Sequence, residues 1–252
     1  MQDESRGLYS LKELDGFPYR YELHMHTAES SKCGVSPAAD MVDELKRLGF
    51  TGAVITDHFV NGNGRCDRQA PWETQIDQIL SGYRAAKKRG DEIGVQILFG
   101  WEASIEGKDY LTYGLDEQFL YSHPRLGKMP AREYAELVHE FGGFLIHAHP
   151  FRKAWYFPPE HKAELLEGVH DAVEIYNAGN GRQEYNDEAF EYAKAHNSVM
   201  TVGSDTHWIE SIGAGTMAFP RRAKDIRDLI SMIKSRECRM LTTPLDEIRQ
   251  KK

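Results

Sequence analysis

Residues Tyr21–Ser30 read YELHMHTAES, a segment with the character of a strand running into a loop. His24 and His26 are one residue apart. In a strand, residues i and i+2 point to the same side, so both rings can reach a single metal ion at the point where the strand stops. A chance His-x-His, with its rings satisfied by backbone carbonyls, is the competing reading. The rest of the chain decides between them.

Around this stretch the chain alternates. YRYELHMH reads as a strand and SPAADMVDELKRLGF as a helix, with Ser36 as N-cap, Pro37 in the first turn and Gly49 at the end. TGAVITDH is an apolar, β-branched strand, and PWETQIDQILSGYRAAKKRGDE a long helix. Strands GVQILFGWEAS and DYLTYGL follow, then the helix PAREYAELVHEFGG and the strand FLIHAHP, stopped by Pro150. The strand AVEIYNAG, the helix RQEYNDEAFEYAKAHN and the strand SVMTVGSDTHW come next. A short AGTMAFP segment precedes the helix RAKDIRDLISMIKSRE. Strand alternating with helix argues for parallel βα units. Without a glycine-rich nucleotide fingerprint, about seven such units favour a barrel over an open doubly wound sheet. The expected fold is α/β, a (β/α)7 TIM-like barrel in one domain over residues 1–252.

Chemically loaded residues recur where these strands end: His24 and His26, Asp57-His58, Glu102, His147 and His149, then Asp205 and His207. Chain direction puts all these ends on one rim of a parallel barrel, the C-terminal rim where such folds carry their sites. Imidazole and carboxylate donors without thiolates suit Zn²⁺, Mn²⁺ or Fe²⁺, and the set exceeds what one ion uses, which implies at least two metals. By strand alternation His147 shares a face with His149 and is expected to point inward as well. His123, His139, His161, His170 and His196 fall in helical or loop patterns and read as surface or structural.

The bulk numbers are those of an ordinary soluble globular protein. The chain has 252 residues, 40% hydrophobic and 28% charged, with a formal net charge of −8. That charge, and a longest basic run of only Lys87–Arg89, make nucleic acid an unlikely partner. No run approaches a membrane span, and the start lacks the basic and apolar regions of a signal peptide, so a cytoplasmic protein is the expectation. Cys33, Cys66 and Cys238 are too few and too far apart for a disulfide framework.

Five motifs in order resemble the PHP (polymerase and histidinol phosphatase) domain family. They are His24-Met25-His26-Thr27, Thr56-Asp57-His58, Gly100-Trp101-Glu102, Ala148-His149-Pro150 and Gly203-Ser204-Asp205-Thr206-His207. The resemblance covers about residues 19–208, leaving 209–252 for a final strand or loop and a C-terminal helix. It implies a distorted seven-stranded barrel with two or three divalent ions, usually for phosphoester hydrolysis. It also implies metal-ligand roles for His24, His26, His58, Glu102, His149, Asp205 and His207. Glu22 stands where the family commonly has an acid and is expected to orient the His24 ring. The chain departs from the family after the first motif, where Glu29 or Cys33 would have to substitute for a ligand. It also departs at Asp109 and at Asn177.

A metal pair would supply hydroxide for in-line attack on phosphorus. Asp205 and His147 are the candidates for moving protons, and Arg152, three residues after His149, for binding phosphate through its guanidinium. Arg65 and Arg182 are weaker candidates. The expected activity is hydrolysis of a small, anionic phosphate ester, histidinol-phosphate-like or a nucleotide phosphate. A nuclease acting on oligonucleotides and a non-catalytic metal-binding module are the alternatives.

Overall fold

The computed structural model describes residues 8–9, 15–153 and 168–242; His161 lies outside them. The strands are β1 (Leu8–Tyr9), β2 (Tyr19–Glu22), β3 (Gly52–Ile55), β4 (Gln96–Ile105), β5 (Lys108–Tyr113), β6 (Phe144–Ala148), β7 (Ala172–Asn177), β8 (Val199–Gly203), β9 (Gly215–Phe219) and β10 (Arg239–Thr242). They form a ten-stranded sheet in the order β1-β10-β9-β2-β3-β4-β5-β6-β7-β8. The helices are α1 (Ala38–Arg47), α2 (Trp72–Ile93), α3 (Glu117–Ser122), α4 (Ala131–Glu140), α5 (Gln183–Ala195) and α6 (Ile226–Lys234).

The sheet curls into a nearly closed barrel. Just past β2 and β8, Met25 bridges Thr206 in parallel, with His26 N donating to Thr206 O at 2.9 Å and Thr206 N to His24 O at 3.2 Å. The first and last histidine motifs are thereby stitched side by side at one rim.

Strict βα alternation does not hold. Between β4 and β5 stand Glu106 and Gly107, at φ 51° and 78°, the pair of positive φ values that a tight hairpin turn requires. The chain therefore reverses without a helix, and β5 runs antiparallel to both β4 and β6. The reversal brings the start of β5 to the rim where its neighbours end, so that Asp109 pairs with Ala148.

Helix α1 begins and ends close to where the sequence places it, but it is capped differently. Ser36 does not cap it; its Oγ accepts from Ile209 N at 3.1 Å. The Glu29 carboxylate instead accepts from Ala38 N, both oxygens at 3.0 Å, the favourable place for negative charge at a helix start. Gly49 ends α1 at φ 75°, a conformation open to glycine without penalty. No helix among the described residues is long and apolar enough to cross a membrane.

Candidate metal centre

His24 and His26 lie just beyond β2, fully buried. Their Nε2 atoms approach to 3.1 Å. His24 Nδ1 lies 3.0 Å from Glu174 Oε1, a carboxylate that accepts its proton. His26 Nδ1 lies 3.3 Å from Ser31 Oγ, whose own hydrogen goes to Asp57 Oδ1 at 2.7 Å, so the ring donates here too. With both Nδ1 atoms donating, the two Nε2 atoms are left facing each other, an arrangement that a shared proton or a shared cation relieves.

Two carboxylates close on the same point. Glu102 Oε1 is 3.4 Å from His24 Nε2 and 3.1 Å from His149 Nε2, and Glu102 Oε2 is 3.5 Å from His26 Nε2. Asp205 Oδ1 is 3.4 Å from His24 Nε2 and 3.3 Å from His26 Nε2. His58 Nδ1 lies 2.7 Å from Glu102 Oε2 without hydrogen-bond geometry, and both atoms are buried without a hydrogen-bond partner. Buried polar atoms left in this state are costly unless something else binds them. His207 turns its Nδ1 to the Asp205 carbonyl at 2.8 Å, which leaves Nε2 for the cluster.

Donor atoms within 4.8 Å of one another form four overlapping groups: His24-His26-Glu102, His24-His149-Asp205, His26-His58-His207 and Glu102-Asp109-His149. The structure thus brings together all seven residues expected from the sequence to be ligands, and Asp109, which stands where the family often has a further histidine, joins them. These donors fit divalent ions of the Zn²⁺, Mn²⁺ or Fe²⁺ kind.

The electrostatics suit cations. Burial favours neutral carboxyls, but His58 and His24 hold Glu102 well below its ordinary range, and His24 and Arg152 do the same for Asp205. Burial likewise disfavours charge on His24, yet Asp205, Glu174 and Glu102 outweigh it and raise its proton affinity. The backbone is strained at two of these residues: His149 has φ 30° and Asp205 φ 51°, conformations that persist where surrounding structure enforces them.

Two expectations need correction. His147 is not in the cluster. It is the neighbouring His149 that departs from strand geometry, so alternation does not carry from one to the other. The His147 ring packs against Tyr110 and His170, with centroids 4.9 and 5.5 Å away. Glu22 does not hold the His24 ring, although its Oε1 accepts from His24 N at 3.4 Å. Its carboxylate accepts from the backbone N–H groups of Leu23, Ser204 and Gly213 and from the Ser204 hydroxyl, binding the two histidine loops together. Glu174 holds the His24 ring instead, and it also accepts from His149 N at 2.9 Å and Asn177 Nδ2 at 2.8 Å. Its sequence signal was an acid within the apolar strand AVEIYNAG. Asn177 is no free ligand either, because its Oδ1 accepts from Arg152 NH2 at 2.6 Å and Gly179 N at 2.8 Å.

A cavity of about 530 Å³ opens over the cluster, lined by Asn61, Ser104, Asp109, Arg152 and Cys33 beside the histidines. Arg152 is fixed from below: NH2 donates to Asp205 Oδ2 at 2.6 Å and Nε to Asn180 Oδ1 at 2.8 Å. The Cys33 thiol is pulled down to about 6, as hydrogen bonds to His207 and His58 outweigh burial. Arg65 and Arg182 are exposed and line no part of this cavity.

The mixed α/β barrel has counterparts among PHP-like proteins. A family model described as PHP-associated matches residues 183–238. An uncharacterized protein of Methanocaldococcus jannaschii is 24% identical over 205 residues, 79% of this chain and 70% of that protein. Among solved structures, a two-domain protein of Bacteroides vulgatus containing a predicted PHP-like metal-dependent phosphoesterase aligns with TM-score 0.65. The identity is 17%, over 93% of this chain and 67% of that one. A lesion-specific endonuclease of Pyrococcus furiosus aligns with TM-score 0.54 at 15% identity, over 88% of this chain and 57% of that one. The resemblance to the PHP family carried by the five motifs is borne out.

Proposed function

We propose that this chain hydrolyses a phosphate ester of a small molecule, using two or three divalent ions held at the barrel rim. One observation carries the reading: lone pairs of His24 and His26 and the carboxylates of Glu102 and Asp205 converge on one buried point under an open cavity. His24, His26, Glu102 and Asp205 would hold one ion, Glu102, Asp109 and His149 a second, and His58 and His207, with Cys33 beside them, a third. Ions bound there supply a nucleophilic hydroxide at neutral pH and neutralise phosphoryl charge.

The chain's own groups do the rest. Arg152 is locked through Nε and NH2, while its NH1 has no hydrogen-bond partner among the described residues and is free to meet a phosphoryl oxygen. Asp205, ionised and bonded to Arg152, couples phosphate binding to the ion position and acts as a proton acceptor rather than a donor. His147 takes no part in this scheme.

The test is a panel of phosphate esters assayed with Mn²⁺, Zn²⁺ and Fe²⁺, with elemental analysis of wild type and Glu102→Gln. The variant keeps the side-chain shape but removes the charge of the one carboxylate common to two of the donor groups. It is expected to lose at least one metal equivalent and nearly all turnover while its circular dichroism stays native. Full metal content and full rate in the variant would refute the mechanism, and loss of thermal stability with no esterase activity in wild type would favour a structural metal module.

A further inference from the structure

The cavity over the cluster is lined by polar side chains, Cys33 and glycines. Besides the histidines it holds no large apolar or aromatic side chain, so an apolar organic group on an ester would find its partner at the rim. Four large apolar side chains are exposed among the described residues: Tyr19, Val35, Phe141 and Trp208. Tyr19 starts β2, at the far end of the barrel, and Phe141 packs edge-on against Phe119 beyond α4. The other two stand together beside His207. Val35 N and Ser36 N both donate to the His207 carbonyl, at 2.8 and 3.3 Å. The Trp208 indole lies 6.3 Å from the His207 ring, centroid to centroid.

Single exposed apolar side chains are ordinary, but the backbone that carries this indole is held fast. The Trp208 carbonyl accepts from Thr206 Oγ1 at 2.8 Å, from Ser211 Oγ at 3.0 Å and from Ser211 N at 3.1 Å. Ile209 N is tied to Ser36 Oγ across the loop. The backbone is thus pinned on both sides while the indole remains 41% exposed and Val35 69% exposed. A large, flat side chain with two rotatable bonds on a fixed backbone loses little entropy when a ligand covers it.

Resting on the phosphoesterase reading above, we propose that Trp208, edged by Val35, is the platform on which the alcohol part of the substrate stacks, and that this part carries a planar aromatic ring. An aromatic face gains from offset stacking, whereas a polyol gains little from an apolar shelf. The indole determines specificity, and the metal cluster one residue away acts on the phosphate.

The test compares wild type, Trp208→Phe and Trp208→Ala on phenyl phosphate, adenosine 5′-monophosphate and glycerol phosphate. The preference for aromatic over glycerol ester, as a ratio of kcat/KM, should fall about tenfold in Trp208→Ala and recover in Trp208→Phe. Phenyl phosphate against the nucleotide separates a simple aryl group from a nucleobase. A second readout does not need turnover: saturable quenching of tryptophan fluorescence by the aromatic ester in wild type, lost in Trp208→Phe. If wild type hydrolyses no ester but the quenching appears, the phosphoesterase reading fails and the platform stands. An unchanged ratio, or an effect confined to single-stranded oligonucleotides, would overturn the proposal.

Discussion

Replacing Glu174 by Gln should cost the centre its metal while leaving every candidate ligand in place. Glu174 meets three buried donors, His24 Nδ1, His149 N and Asn177 Nδ2, at 3.0, 2.9 and 2.8 Å. A carboxylate accepts from all three, but an amide has one accepting oxygen and one donating nitrogen. If the amide oxygen faces His24, its NH₂ confronts the His149 and Asn177 donors. Asn177 cannot turn over in response, since its Oδ1 is held by Arg152 and Gly179. If the NH₂ faces His24 instead, the ring must accept at Nδ1 and carry its proton on Nε2, the atom offered to the metal. The first arrangement leaves two buried donors unpaired, at about 1–3 kcal/mol each; the second removes a ligand. Loss of such a supporting carboxylate typically weakens metal binding by about 10–100-fold, or about 1.4–2.8 kcal/mol. Zn²⁺ titration of metal-free protein against a chromophoric chelator measures this, with thermal unfolding of the metal-free forms as a stability control. Binding within about twofold of wild type would show that the His24 tautomer is set by something other than Glu174, and the argument would fail.

Two further expectations follow from the same contacts. Arg152→Ala should lower kcat/KM by about 1–3 kcal/mol equivalent without loss of metal, and Arg152→Lys should recover only part, because ammonium cannot reproduce a two-sided clamp; unchanged kinetics on every accepted ester would make it a surface arginine. Metal retention should rise with pH. Asp205, Glu174 and Glu102 raise the His24 proton affinity against the effect of burial, so that in the metal-free protein this group stabilises the fold below its ordinary value of 6.5 and the contribution is lost as pH rises through the raised value. Ions must displace that proton, so the thermal shift on adding Zn²⁺ should grow from about pH 6 to about pH 8; a flat or opposite trend would show that protons and ions do not compete there.

The sequence could be read wherever the information is local. Strand and helix patterns placed His24, His58, Glu102, His149 and Asp205 at strand ends, and chain direction put them on one rim. The strand after Glu102 was also visible, but its direction was not. Glu106-Gly107 is the two-residue turn that reverses β5 and delivers Asp109 to the site. His147 shows the limit of alternation: the rule holds inside a strand, and β6 ends at Ala148 before His149 turns to φ 30°.

The buried acids show why the remainder was out of reach. Glu22, Asp57, Glu102, Glu174 and Asp205 are all buried, and each has a histidine nearby in sequence or in space. What separates their roles is the donors they meet. Glu22 meets backbone N–H groups 182 and 191 residues away and joins loops. Asp57 takes the backbone and hydroxyl of Thr27 and the hydroxyl of Ser31, and so orders the loop that carries His26. Glu174 meets a ring 150 residues away and sets its tautomer. Glu102 and Asp205 face imidazole nitrogens and have oxygen atoms left for a cation. All five are buried carboxylates at or near strand ends, so residue type alone does not separate them, and only the barrel's closure decides which of them face the imidazole cluster and which hold the chain.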